Sequence, residues 1–376
     1  MGKSRKSKGK STKYHFSKIG IIVFLVVCAL SITIGFAFKS PIEKLLNASN
    51  TSVGQTTQTI DYDGLMVHFV DVGQGDCIAI RFPDNKTMLI DAGPASSKTQ
   101  MIDYLNNNFF KDKPKTFDYL LLTHSDEDHC GGMLAICESY QVSKIYRPMV
   151  FYNYNGQKEE TDKSSPKYCT TKVYYDTIMA FKNETENIVL TDVTTCNGAE
   201  KIDGGNYYFD FYSPKKTTTS VKMNDFSPIM VLNYNGKKLM FTGDATTSGE
   251  ENDVLDTVPK VDLLKVGHHG SRYSSSEEFL AKTKPSVAVI QCGEGNKYNH
   301  PHSETVIRLN YISADIYRTD QNGNIIVNVS TDAQLNIYLD KINDNYVIKV
   351  EYIIGGIILL SASLCFGVRL KIKDKR

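Results

Sequence analysis

The chain has 376 residues, enough for one large domain or two, and its 43 Lys and Arg nearly balance 42 Asp and Glu, for a net charge of +1. Twelve of those bases and a single acid lie in the two ends, 1–18 and 369–376, so the stretch between keeps 31 bases against 41 acids, a net of −10. That sign argues against tight sequence-independent nucleic-acid binding, which rests on bases meeting phosphates. Local patches such as Lys215-Lys216 and Lys237-Lys238 stay open.

Residues 1–18, rich in Lys, Ser and Gly, predict a basic cytoplasmic tail touching anionic membrane lipid. Residues 19–38 are twenty in a row without a charge, about the length that crosses a bilayer core. A secretory signal peptide is the alternative, but the run is long and no clear small-x-small cleavage site precedes Lys39, which favours an uncleaved transmembrane helix. Residues 39–62 form a linker, with a flexible spacer of Asn, Ser, Thr and Gln at 47–59. A domain over 63–340 follows. Residues 352–368 are seventeen without a charge; they are a buried C-terminal element or a second span, and the basic tail 369–376 favours the span. With both ends basic and retained inside, the domain is expected at the cell membrane on the extracytoplasmic side.

Within the domain, strands are expected at 65–71, 76–82, 87–91, 117–122, 144–148, 207–212, 229–234, 238–242, 262–266, 286–291, 315–318 and 324–328. Helices are expected near 98–108, 130–139, 170–182, 275–283 and 303–311. Asn235-Gly236 between two apolar runs predicts a hairpin. Two groups of strands with helices between them fit two sheets covered by helices on their outer faces. Residues 148–206 are polar and Tyr-rich and read as an insertion, either shaping substrate access at the mouth of a site or elaborating the surface. Eight cysteines include no Cys-x-x-Cys pair, so a zinc ribbon is not indicated. Cys169 and Cys196 lie in the polar segment and could bridge in an oxidising compartment.

The apolar run 117–122 stops in Thr123-His124-Ser125-Asp126-Glu127-Asp128-His129, followed by Gly131-Gly132. Two imidazoles and two carboxylates this close repel or titrate unless a cation sits among them. A pair of divalent metals is the economical answer.

This cluster resembles the His-x-His-x-Asp-His signature of the metallo-β-lactamase superfamily, with Asp126 in place of the second histidine, as in the ComEC/Rec2-like branch. The same branch is resembled by Gly73-Gln74-Gly75-Asp76, Leu89-Ile90-Asp91-Ala92-Gly93, Thr242-Gly243-Asp244, Gly267-His268-His269-Gly270-Ser271, His300-Pro301-His302 and Thr319-Asp320-Gln321-Asn322-Gly323. The resemblance implies a four-layer αββα sandwich, here flanked by N- and C-terminal transmembrane helices. It implies His124 and Asp126 on one metal, Asp128 and His129 on the other, and Asp244 bridging. His300 fits the late ligand best, leaving His268 or His269 as proton donor or alternative ligand. No histidine lies between His129 and His268, and Asn224 sits where the family's further ligand is expected. The two metals would be Mn or Zn, with oxygen-rich ligation moving the preference towards Mn. The implied function is an outward-facing metal-dependent phosphodiesterase or nuclease, with DNA one candidate substrate. The alternatives are a cell-envelope phosphodiesterase of teichoic-acid type, another ester or lactone hydrolase, and an anchored metal-binding module without activity.

Overall fold

In a computed structural model of the protein, the described residues are 51–55, 63–111, 113–162, 166–191, 202–203, 206–212 and 222–341. They form two large sheets and one small one. The first sheet has nine strands, in spatial order β1 (Thr51–Gln55), β19 (Leu335–Leu339), β18 (Ile325–Val329), β2 (Leu65–Phe69), β3 (Ile78–Arg81), β4 (Thr87–Ile90), β5 (Thr116–Leu121), β6 (Gln141–Pro148) and β10 (Ile188–Thr191). The second has seven in sequence order, β11 (Ile202–Asp203), β12 (Tyr207–Phe211), β13 (Met230–Tyr234), β14 (Lys237–Phe241), β15 (Leu263–Lys265), β16 (Val287–Ile290) and β17 (Asp315–Arg318).

The two-residue period of a strand sends neighbours to opposite faces, and this sorts the core into three clusters. Val67, Phe69, Ile78, Ile80 and Ile90 of the first sheet meet Phe209, Leu232, Leu239, Phe241 and Val289 of the second in one buried layer. Their neighbours Ala79 and Leu89 face outward into a second cluster, with Met101, Phe110, Ile136, Ile178 and Phe181 from helices. Met240, Leu264 and Ala288 face a third, with Phe279, Leu280 and Leu309. Strands covered on both faces have no polar side to show, which is why β2, β3 and β4 read as unbroken buried runs. The layers are therefore helix, sheet, sheet, helix. At the β13–β14 hairpin, Asn235 and Gly236 both take positive φ, 49° and 79°, as a two-residue turn of this kind requires.

Three features depart from expectation. First, the transmembrane helices of the expected architecture are not part of this fold. Among the described residues no helix is long and apolar enough to cross a membrane. The helix Lys172–Glu184 has 13 residues, about 20 Å against the ~30 Å of a hydrocarbon core. Segments 19–38 and 352–368 lie outside the described residues, as do the two basic tails. The lipid contact and outward orientation rest on those segments and so lie outside the described residues with them. Second, residues 51–55, assigned by composition to a spacer, form strand β1 alongside β19. Third, the 148–206 region is more than a decoration. It contributes a small sheet, β8 (Gln157–Lys158), β7 (Val150–Tyr154) and β9 (Lys167–Cys169). Its helix Lys172–Glu184 buries Tyr174, Ile178 and Phe181 in the outer core of the first sheet. Cys169 is a free thiol, and Cys196 lies outside the described residues.

Candidate metal centre

In α/β sheets, sites form beyond the carboxyl ends of parallel strands, and two such ends meet here. β4, β5 and β6 run parallel in one sheet; β14, β15 and β16 run parallel in the other. The chain leaves β5 into His124, β14 into Asp244 and β15 into His268-His269.

Asp244 is the centre of the arrangement. It is buried, and around it stand His129 Nε2 at 3.3 Å, His268 Nε2 at 3.5 Å, His269 Nε2 at 3.6 Å and His124 Nε2 at 3.8 Å. Asp126 lies 3.7 Å from His124 Nε2, and Asp128 lies 3.3 Å from His269 Nε2. Asn224 reaches Asp244 Oδ2 at 3.4 Å. His300 sits further out, its ring 5.5 Å from that of His268 and 6.1 Å from that of His269, between centroids.

Three imidazoles are aimed by the hydrogen bonds at their backs. His129 Nδ1 donates to Asp91 Oδ2 at 2.7 Å, and His269 Nδ1 donates to the Gln291 carbonyl at 3.0 Å. Thr123 Oγ1 gives its proton to Asp91 at 2.7 Å and so accepts from His124 Nδ1 at 3.0 Å. With each Nδ1 holding the hydrogen, each Nε2 lone pair points inward, the arrangement of a metal-ligating histidine with its outer partner. His124 Nε2 and Asp244 Oδ1 are buried without a hydrogen-bond partner. Buried polar atoms left without partners are costly, and a divalent ion satisfies both at once.

The electrostatics agree. Burial opposes charge on every group, yet the Asp244 and Asp91 carboxylates hold His129 well above its ordinary value, and Asp244 and Asp76 hold His269 up to about 10. Burial raises Asp244, but the surrounding imidazoles reverse this and keep it well below the carboxylate range. His124, lowered to about 3 by burial and then by His129, is neutral. His300 is lowered to about 4 by burial and its histidine neighbours. The cluster holds protons only where carboxylates compel them, and a dication would replace those protons.

The donor atoms of Asp76, His129, Asp244 and His269 lie within 4.8 Å of one another. Asp76 nevertheless belongs to the supporting layer. The Lys265 ammonium, itself fully buried, lies 2.6 Å from Asp76 Oδ2 and would repel a cation placed there. The other oxygen faces His269 Nδ1 at 3.2 Å. The Gln291 carbonyl is the better-aligned acceptor for that N–H, and Asp76 adds charge beside it.

The backbone is bent to aim these groups. His268 and His269 have φ of 50° and 52°, and Asp91 has 55°; such conformations store ~1–3 kcal/mol each. Gly132 allows the metal loop to approach β4, since a Cβ there would fall 2.2 Å from the Ala92 carbonyl oxygen.

All the sequence-predicted residues except His300 are therefore gathered around Asp244. Asp91, Asp76, Lys265 and Gln291 carry no assigned role in the sequence reading. Asp76 and Asp91 stand in the quoted motifs, and Lys265 carries the one available signal, a charge in an apolar strand. Lys237 pairs with Asp262 at 3.1 Å, while Lys215-Lys216 lie outside the described residues.

Residues 70–201 match the model of the metallo-beta-lactamase superfamily. ComE operon protein 3 of Bacillus subtilis (strain 168) is 28% identical over 278 residues, which cover 69% of this chain and 32% of that protein. Recombination protein 2 of Haemophilus influenzae is 26% identical over 266 residues, 71% of this chain and 29% of its own. The chain thus spans about a third of the length of the curated relatives it matches. Among solved structures, the metallo-beta-lactamase fold protein YhfI from Bacillus subtilis is 12% identical, with 68% of this chain and 96% of that one covered and a TM-score of 0.42. The metallo-beta-lactamase superfamily match over residues 70–201 implies divalent metal ions, and the donors described above fit them.

Proposed function

From a chain that carries a metallo-β-lactamase-superfamily hydrolase domain of the ComEC/Rec2 branch, we propose a metal-dependent phosphodiesterase acting on nucleic acid strands. The observation that carries this reading is the ring of inward-facing imidazoles and carboxylates around Asp244, with His124 Nε2 buried without a hydrogen-bond partner and Asp244 Oδ1 facing only the His129 imidazole at 3.3 Å. His124, Asp126 and His268 would hold one ion, Asp128, His129 and His269 the other, and Asp244 both. Two divalent ions bound there supply hydroxide near neutral pH and neutralise charge at the attacked centre, which suits a phosphodiester. His269, buried and bonded to Gln291, is better placed to ligate than to carry a proton to a leaving group. His300, half-buried at the rim beside the exposed Tyr298, is left free to meet the substrate. With Asp126 standing where the family signature has a histidine, the first ion gains an oxygen ligand, which moves the preference towards Mn over Zn.

The relatives' names, a competence operon and recombination, point towards DNA. The net of −10 between the tails argues against a tight sequence-independent grip on nucleic acid and leaves room for a second reading, an envelope phosphodiester polymer of teichoic-acid type. Incubating the Mn- or Zn-loaded chain with labelled single- and double-stranded DNA, beside Asp128→Ala, separates the two. Metal-dependent cleavage lost in the variant is expected. No cleavage by protein that retains its metals overturns the nuclease reading and leaves the envelope polymer.

A further inference from the structure

A second cavity, of about 430 Å³, lies at the opposite end of the first sheet, and Arg81, Lys111 and Lys113 line it together with Asn85, Phe82 and Phe109. Arg81 closes β3 and pairs with Thr87, the first residue of β4. Asp91, behind the metal cluster, follows the other end of β4, about 13 Å away at 3.3 Å per residue. The cavity is therefore separate from the centre around Asp244.

Arg81 is only 7% exposed, and buried arginines are rare unless paired. Its guanidinium donates to the Phe109 carbonyl and stacks on the Phe109 ring at 4.8 Å from the centroid. Among the described residues no carboxylate forms an ion pair with it. Lys113 finds only the Asn85 amide oxygen, at 3.2 Å, and Lys111 has no ion pair among them either. The one acid on the wall, Asp63, is engaged by the Thr331 hydroxyl and backbone N–H. Burial, and then the Arg81 charge, lowers Lys113 from its ordinary value. Three cations share one cavity with a single carboxylate, Asp63, that forms an ion pair with none of them among the described residues, and a carbonyl dipole satisfies a donor without neutralising its charge.

We propose that this cavity binds a small organic anion, a phosphate monoester with an apolar body. The anionic group sits between Arg81 and Lys113, in the manner of charge-assisted recognition of phosphate. The body lies against Phe82 and Phe109. The site is independent of the hydrolytic reading, since none of its residues belongs to the metal cluster.

The test is calorimetric titration of the full chain with phenyl phosphate at low ionic strength, after chelation, so that metal-bound phosphate contributes nothing. Saturable binding is expected, weakened about tenfold or more by Arg81→Gln, the loss of one hydrogen bond to a charged group. Lys111→Ala/Lys113→Ala is the second variant, because both lysines are exposed and can be removed without disturbing the Phe109 contact. Weaker binding in that variant supports the site. No saturable binding by the parent chain, or binding unchanged in the lysine variant, overturns it.

Discussion

At the residue scale, the centre depends on charges that no ligand motif names. Lys265 is fully buried and its ammonium touches Asp76, which in turn stands behind His269. Replacing Lys265 with Met keeps the length of the side chain and removes the charge, leaving Asp76 buried with only His269 opposite it. Breaking a buried pair in this way destabilises by ~3–5 kcal/mol. Urea unfolding of Lys265→Met should show that loss, and Lys265→Met/Asp76→Asn should recover part of it. A double-variant loss equal to the sum of the Lys265→Met and Asp76→Asn losses would show that the pair is not coupled. The same layer marks the limit of what the sequence disclosed here. That His124, Asp126, Asp128 and His129 cluster at one point was legible because four candidate ligands, two His and two Asp, crowd into six residues. The roles of His268, His269 and His300 were not, because the order of ligands around an ion depends on two αL residues that turn the rings, and no local pattern encodes that.

At the level of elements, the strands of both sheets were legible wherever both faces are covered, since an unbroken apolar run has few other homes. β19 was missed although Asn336 and Tyr338 alternate with buried Leu335, Ile337 and Leu339, the pattern of a half-buried strand. β1 was missed because its pairing with β19 is a contact across the whole domain, and its Thr, Ser and Gln carry no burial signal of their own. The Lys172–Glu184 helix was placed correctly, but its weight was not legible, because the tyrosines around it suggested surface. Thr171 caps it by accepting from the Tyr174 N–H, and Thr177 Oγ1 bonds the Cys130 carbonyl directly behind the metal loop. Phe181→Ala should therefore destabilise the domain by ~3–5 kcal/mol, as a large core truncation does. A surface insertion would tolerate the change within ~0.5 kcal/mol. Thermal unfolding of the variant decides between them.

For the whole molecule, stability and metal content are joined through pH. In chelator-treated protein, His269 has its value raised to about 10, against 6.5 for an ordinary histidine, with Asp244 and Asp76 outweighing burial. A raised histidine contributes its full stabilisation below the lower value and loses it as pH climbs through the higher one. His129 is raised in the same sense. The urea midpoint of the metal-free protein should fall steadily from about pH 6.5 to about pH 10. Metal-loaded protein should lack this slope, since the Nε2 sites no longer exchange protons. A flat profile without metal would mean that the imidazoles around Asp244 are neutral in the folded chain.

The donors around Asp244 do not belong to one sheet. His124, Asp126, Asp128 and His129 follow β5, whereas Asp244, His268 and His269 follow β14 and β15. An ion held by both groups acts as a clasp across the sandwich. Its full set of donors exists only when the two halves have closed. Mutations in the inter-sheet layer, far from any ligand, would then loosen the ion by letting the halves part more often.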